Sequence, residues 1–352
     1  MRRNIGGSST GSLQGQTLHD TALQFRGHDM RLTRLLAGLA LAATAVTTAQ
    51  AQDYPTRPIK MVIAFPAGGP TDFVGRLVAE KLKGELGQAV IIENKPGANA
   101  AIGADSVAKS APDGYTLFLT TAGAVVINPH LRPDLPYNPT RDFAPVSLVV
   151  NTMEVLVVKA DTPIKSAADL VALAKSNKDG IALASTGVGS PPHLALELFK
   201  GSSGANVLHV PYRGAAPAVT DVIGGQVNAM FADLPVLMPQ IIGGTLRPIG
   251  VASKSRAPVL PNVPTLDEQG IKDVYADNWY ALFAPTKTPA PVIAKLNAAV
   301  NAVLKDPETA KKLIDAGAVP AAGTSAQLGE LLASELLRWG KVIKEKNIKP
   351  ET

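Results

Sequence analysis

Three glycine-rich turns hold the residues best suited to chemistry in this chain. The first reads Phe65-Pro-Ala-Gly-Gly-Pro-Thr-Asp72. The second is Ser185-Thr-Gly-Val-Gly-Ser190, with His193 one turn on, and the third is His209-Val-Pro-Tyr-Arg-Gly-Ala215. Each follows a short apolar run and leads into helical spacing, which makes it a strand–loop–helix junction. Such a loop leaves backbone N–H groups unpaired at the positive end of a helix dipole, a ready site for a carboxylate. Glycines let the backbone close on a ligand with no Cβ in the way.

In the first turn the candidates are the N–H groups of Ala67, Gly68, Gly69 and Thr71 and the Thr71 hydroxyl, with Phe65 leading in. An ordinary turn capped by Thr71 or Asp72 reads equally well. Asp72 would repel an anion unless it faces away as a cap, or it could pair with a ligand amine. In the second turn Ser185, Thr186, Gly187, Gly189 and Ser190 repeat the grammar of hydroxyls and glycines, and His193 is expected to stand behind them. In the third, Arg213 could grip an anion with both arms of its guanidinium, or pair structurally with Asp221 or Asp233. Gly214 and Ala215 open a further helix. Asp233 closes a strand, where it either reads an amine or hydroxyl or caps the helix beginning at Pro235.

Ser185, Ser190, His193, His209 and Asp233 also contain the ingredients of a hydrolytic triad. No glycine follows the serine in Gly187-Val-Gly-Ser-Pro191, so the nucleophile elbow G-x-S-x-G is missing. There is no H-E-x-x-H and no spacing of acids and histidines that suits a metal, and neither G-x-x-x-x-G-K nor G-x-G-x-x-G stands at the first turn. Binding without catalysis, cofactor or metal is the expectation. A hydrolase using Ser185 or Ser190 is the rival.

The elements that position these turns alternate regularly. Ile59–Phe65, Ala89–Glu93 and Tyr115–Thr120 read as strands, with helices at Asp72–Leu86 and Ala100–Lys109. After a proline-rich connection (Pro129, Pro133, Pro136, Pro139), a second run begins at Val155–Val158. It continues with strands at Ile181–Ser185, Asn206–Val210, Val227–Phe231 and Leu246–Ala252, and helices between them. Trp279–Ala284 returns as a strand before helices at Pro289–Leu304, Pro307–Ala316 and Ser325–Lys346. Short apolar strands between amphipathic helices imply parallel sheets covered on both faces. A helical tail after two such runs suggests two lobes joined by a hinge. Residues 52–150 and 277–352 form the expected first lobe and residues 151–276 the second, with the chain crossing near Asn151 and Asp277.

Export is written at the start of the 352 residues. Met30-Arg-Leu-Thr-Arg34 is basic, Leu35–Val46 is apolar and too short to span a bilayer, and Ala49-Gln50-Ala51 fits a cleavage site. Cleavage after Ala51 would place a mature chain in the periplasm. Residues 1–29, rich in Gly, Ser and Gln, precede the basic segment and read as upstream translation from a start before Met30. Five arginines (Arg2, Arg3, Arg26, Arg31, Arg34) against Asp20 and Asp29 give these first 51 residues +3 of the net +5, leaving +2 on the rest. No Lys/Arg block with interleaved aromatics points to nucleic acid. The absence of cysteine excludes disulfides, thiol catalysis and a lipidated N-terminal cysteine. Nothing signals obligate oligomers, so a monomer is expected.

Eight ordered segments resemble one family. They are F-P-A-G-G-P-T-D (65–72), E-N-K-P-G-A (93–98), P-D-G-Y-T-L (112–117), S-T-G-V-G-S-P-P-H-L (185–194), H-V-P-Y-R-G-A (209–215), G-G-Q-V (224–227), V-P-T-L-D-E-Q-G (263–270) and E-L-L-R-W-G-K-V-I-K (335–344). The chain is similar to the Bug family, the TctC-like periplasmic substrate-binding proteins of tripartite tricarboxylate transporters, from Tyr54 to its end. The resemblance implies an α/β, type II periplasmic binding fold of two doubly wound lobes that close on a small organic carboxylate. It implies grip by Phe65–Asp72 from one lobe and Ser185–Ser190 and Tyr212–Ala216 from the other, with Thr121, Ala122 and Gly123 completing the wall. It further implies delivery to the membrane components of such a transporter. A sensory role, with the ligand presented to a receptor ectodomain, needs the same closure and stands as the alternative. Two departures are visible: Asn99-Ala100-Ala101 replaces residues that are more often glycine, and Phe73 is bulkier than usual and expected to face the core.

Overall fold

The computed structural model describes residues 54–349. The leader and the residues before it, together with their cleavage site, lie outside that range. Two sheets carry the architecture, and their strands follow the apolar runs of the sequence. The first has the order β11-β4-β10-β3-β1-β2. Its strands are β1 (Ile59–Ile63), β2 (Val90–Asn94), β3 (Thr116–Thr121), β4 (Phe143–Thr152), β10 (Asn278–Pro285) and β11 (Val319–Pro320). The second has the order β7-β6-β8-β5-β9, built from β5 (Glu154–Lys159), β6 (Ile181–Ser185), β7 (Val207–Pro211), β8 (Ala229–Asp233) and β9 (Leu246–Val251).

The sheets are mixed, where the sequence predicts parallel ones. β1, β2 and β3 are parallel, but β10 runs antiparallel to both β3 and β4. In the second sheet β6 is parallel to β7 and β8, and β5 is antiparallel to β8 and β9. The reason is the chain path. β5 and β10 each enter a sheet directly from the other one, with no crossover helix to turn them around. β4, ten residues long, fills part of what reads in sequence as connection, because Pro145 and Ser147 break its apolar run. Only Met153 separates β4 from β5, so one crossing between the sheets is as short as a chain allows.

The helices facing the sheets are α1 (Pro70–Leu86), α2 (Ala101–Ala108), α3 (Asn128–Leu131), α4 (Pro139–Asp142), α5 (Ala167–Ser176), α6 (Pro191–Ser203), α7 (Ala215–Ile223), α8 (Leu234–Ile242), α9 (Ala290–Lys305), α10 (Pro307–Asp315) and α11 (Ser325–Glu345). A wide turn, Gly123–Ile127, joins β3 to α3. The apolar faces of α9 and α11 lie on β4, so the end of the chain covers the first sheet. Phe118, Phe143 and Phe283 stack through its core, while Phe199 meets Phe231 edge-on in the second. Phe73 is 43% exposed, because on α1 it falls on the solvent side and not toward the core. The residues at 98–100 adopt positive φ without glycine, at 48°, 47° and 73°. Asn99 and Asn128 hold that bend by exchanging two bonds of 2.8 and 2.6 Å, and Arg132 Nη1 donates to the Ala98 carbonyl.

Candidate functional site

The turns singled out by their chemistry meet in one cleft between the two sheets. The loop after β1 reaches it from one side, and the loops after β6 and β7 from the other. These loops touch. A Cβ added to Gly214 would stand 3.2 Å from Pro66 Cγ, and one added to Gly123 would stand 3.0 Å from Pro191 Cδ. The conformation is therefore closed, and the enclosed cavity is small, about 60 Å³. A water needs roughly 10–15 Å³ by this kind of measure, so the space suits a small organic ion and excludes a nucleotide or peptide.

From the first loop Phe65, Ala67, Gly69 and Thr71 reach the wall, joined by Thr121 at the end of β3. From the second sheet come Thr186 and Ser190, then Arg213, Gly214 and Ala215, with Asp233 at the floor. Two helices present uncapped N-termini here, one from each side. α1 starts at Gly69 and α7 at Gly214, and neither cap residue offers a side-chain acceptor to the first-turn N–H groups. Those dipole ends are complementary to an anion. α6 differs, since the Ser190 hydroxyl accepts from the His193 N–H at 3.3 Å and donates to the Gly187 carbonyl at 2.6 Å. Arg213 is exposed and makes no ion pair or hydrogen bond among the described residues. Its possible structural partners are engaged elsewhere: Asp221 accepts from Tyr212 Oη at 2.6 Å, and Asp233 accepts from Asn278 Nδ2 at 2.9 Å. A guanidinium without a carboxylate, beside two helix N-termini, is a site for an anion.

Eight sequence candidates stand behind the wall, each for a physical reason. Asp72 is turned away and works as a clamp, accepting from the Gly68 N–H at 2.9 Å, Arg76 Nε at 2.8 Å and Asn94 Nδ2 at 2.9 Å. Burial would raise its pKa, but the bonds from Arg76, Gly68 and Asn94 outweigh that and hold the carboxyl below the ordinary value. Gly68 spends its N–H on that clamp, and its φ of 78° is why a glycine is there. Ala122 is buried at the start of the wide turn. Ser185 is fully buried, its Oγ 2.6 Å from His209 Nε2, so the serine–histidine pair of the triad ingredients exists but is sealed from any substrate. Gly187 and Gly189 shape the loop at φ 129° and 78°, and Gly189 donates its N–H to His193 Nδ1 at 3.2 Å. His193 stacks on His209 with ring centroids 4.5 Å apart. Burial first, then the neighbouring His209, pushes His193 down to about 3, so it is the neutral acceptor that Gly189 needs. Tyr212 points to Asp221, and burial with that carboxylate pushes its hydroxyl up to about 12.

Pro66 and Pro70, within the first turn, line the cleft, as do Asn278, Pro191 and Pro217, which lie outside the turns that the sequence singles out. The prolines had a signal, since they recur at the loop–helix junctions where proline favours the first turn. Asn278 had none. It arrives from β10, far along the chain, and pins Asp233. A wider cavity of 460 Å³ lies against the crossing segments, with Arg338 paired to Glu335 on a rim that also holds Lys254 and Asp277. Among the described residues no His, Asp and Glu side chains gather into a metal-binding group, and no helix is long and apolar enough to cross a membrane.

Residues 74–348 match the model of the tripartite tricarboxylate transporter family receptor. The chain is 37% identical to BugT of Bordetella pertussis over 324 residues, covering 91% of this chain and 99% of BugT. Two solved structures are similar throughout. The R. palustris protein Rpa4515 with adipate is 34% identical with a TM-score of 0.82, covering 85% of this chain and all of that one. MatC from Rhodopseudomonas palustris with bound malate is 33% identical with a TM-score of 0.78, covering 82% of this chain and all of that one. Proteins of this kind are substrate-binding proteins and not enzymes. The match over residues 74–348 and the 37% identity to BugT along nearly the whole of both chains place this chain in the tripartite tricarboxylate transporter receptor family, as a periplasmic solute-binding protein of the Bug type.

Proposed function

We propose that the protein captures a small organic carboxylate in this cleft and delivers it to the membrane components of a tripartite tricarboxylate transporter. The observation that carries the reading is the meeting of two uncapped helix N-termini, α1 and α7, at one cavity with the unpaired Arg213. N–H dipoles from both lobes replace the water around the carboxylate, and no covalent step is involved. Ligand held by the first lobe favours closure through the contacts it gains from the second. The moving bodies would be residues 52–150 with 277–352 and residues 151–276, the mature chain starting at Gln52 after signal cleavage and acting as a monomer. The relatives that hold adipate and malate support the ligand class.

The test is a melting series on ligand-stripped protein across mono-, di- and aromatic carboxylates. Binding to the folded state alone adds about 2.7 kcal/mol at a hundredfold excess over Kd. A shift with one acid names the ligand, and deletion of the gene should then abolish uptake of that acid. A folded protein that answers to no acid, and releases none on native mass spectrometry, overturns the proposal.

A further inference from the structure

Beneath the cleft lies a pair of acids that anion binding alone does not explain. Glu154 and Asp233 face each other in register on the antiparallel strands β5 and β8, so their side chains share one face of the sheet. Glu154 is fully buried, and neither of its carboxyl oxygens receives a hydrogen bond from a described residue. An ionised carboxylate cannot persist there at bearable cost, whereas a protonated one can donate to a carboxylate opposite. Asp233 is within that reach, and it alone of the two touches the cavity. Other polar groups at the pair are Asn278, which donates to Asp233, the buried Tyr280 hydroxyl, Asp277 and, from α1, Thr71. Burial, then Asp233, raises Glu154 well above the ordinary value, while Asp233, raised by burial to about 6, is ionised at neutral pH.

We infer that Glu154 is a positioning residue whose proton holds Asp233 ionised and presented to the cleft as an acceptor. The site then selects organic acids that carry a hydroxyl or ammonium donor over the same skeleton without one. This rests on the cleft being the carboxylate site, because the carboxylate end occupies the helix N-termini and Arg213 while the donor meets Asp233. A plain acid would set methylene against the Asp233 carboxylate and leave its cleft-facing lone pair without a donor, at a penalty of roughly tenfold to a hundredfold in affinity.

The test uses matched probes on the mature protein at neutral pH: succinate, malate and aspartate, then propionate, lactate and alanine. The donor-bearing member of a binding set should be favoured by that factor, and the preference should fade as pH drops below about 6, where Asp233 takes up a proton. Glu154→Gln supplies a neutral donor and should keep the preference. Glu154→Leu should weaken it, and Asp233→Asn, which turns a donor to the cleft, should reverse it in favour of succinate. In the ligand-free protein the carbon-13 shift of the Glu154 carboxyl should be that of the acid form at pH 7. Equal affinity within a binding set, or a Glu154 that titrates as an ordinary glutamate, overturns the inference while leaving carboxylate capture intact. A protonated Glu154 with no acid bound overturns the capture reading, and the selection with it.

Discussion

The two lobes grip the cleft with loops of the same grammar but hold those loops differently. The first-lobe loop is fastened by charge, since one buried carboxylate, Asp72, ties the Gly68 N–H, Asn94 and Arg76 together. The second-lobe loops are fastened chiefly without carboxylates, by Ser185 with His209, Gly189 with the neutral His193, and Ser190 with the Gly187 carbonyl, and the bond from Tyr212 to Asp221 is the exception. The difference follows from what each loop leaves exposed. Arg76 is 55% exposed at its side chain, so of the first clamp only the Asp72 carboxylate is desolvated, and the three donors around it offset that cost. Ser185 and His193, the latter on α6 itself, are both buried, where an unpaired charge would be penalised. One lobe therefore resists acid and the other should not.

The largest effect should come from filling the contact between the lobes. Gly214 has φ 108° and its missing Cβ faces Pro66, so Gly214→Val adds backbone strain and a wedge across the closed cleft. Affinity for the acid found in the melting series should fall on the order of a hundredfold with the fold retained, from about 1–3 kcal/mol each of strain and overpacking. Gly69→Val on the other lobe meets only the Pro66 carbonyl, at 3.3 Å and without positive φ, and should cost about tenfold. Equal losses, measured by calorimetry, would break the asymmetry.

Next in size is the charged clamp. Asp72→Ala leaves the Gly68 N–H without its acceptor and Asn94 Nδ2 with the Phe65 carbonyl alone, and should lower stability by about 1–3 kcal/mol. Because the Asp72 pKa is depressed, its contribution is complete above the ordinary value of 3.8 and is lost only as pH falls below it. Urea melts of wild type and variant should therefore differ by a constant amount from pH 8 to pH 5. A gap that closes in that range would contradict the clamp.

His193 predicts a loss of the same sign that begins at a higher pH, inside the range where the clamp stays constant. His193 is held near 3 against an ordinary 6.5, so its stabilisation is complete above 6.5 and is lost as pH falls toward 3. One proton lost on folding gives about 1.4 kcal/mol per pH unit in that window. Asp233 acts with the other sign, its contribution being lost as pH rises through about 6, so the measurement is the wild type minus His193→Asn. Asparagine keeps an acceptor for Gly189 and cannot titrate. That difference should slope between pH 6.5 and 4, and a flat line would show that His193 is protonated in the fold.

The parts of this contrast differ in how far the sequence exposed them. The loops themselves were legible, because glycine, proline and hydroxyl residues punctuate each strand end at Phe65, Ser185 and Pro211. Which way Asp72 points was not, since its partner Asn94 lies at the end of the neighbouring strand and only register brings them together. Ser185 and His209 meet for the same reason, since His209 pairs with Leu183, two positions before Ser185 on the same face of β6 and β7. Direction within a sheet was invisible too, for periodicity records burial and not chain path, and so β5 and β10 read as parallel. Glu154 showed only as one acid before an apolar run. Its burial depends on the single-residue crossing at Met153, which no local pattern encodes.

The smallest effect tests whether the second-lobe loop depends on its carboxylate bond at all. The Tyr212 hydroxyl donates to Asp221, and Tyr212→Phe removes that bond at a cost of about 0.5–1.5 kcal/mol. Yet the Tyr212 backbone is held independently, its N–H on the Ser185 carbonyl at 3.1 Å and its carbonyl packed against Gly187. Arg213 and Gly214 should therefore stay in place, and affinity should change by less than about threefold even as the melting temperature falls. A tenfold loss of binding would mean that a single side chain aims the second-lobe loop, as Asp72 does in the first. Both lobes would then aim their loops through a carboxylate, and the contrast between them would have to be abandoned.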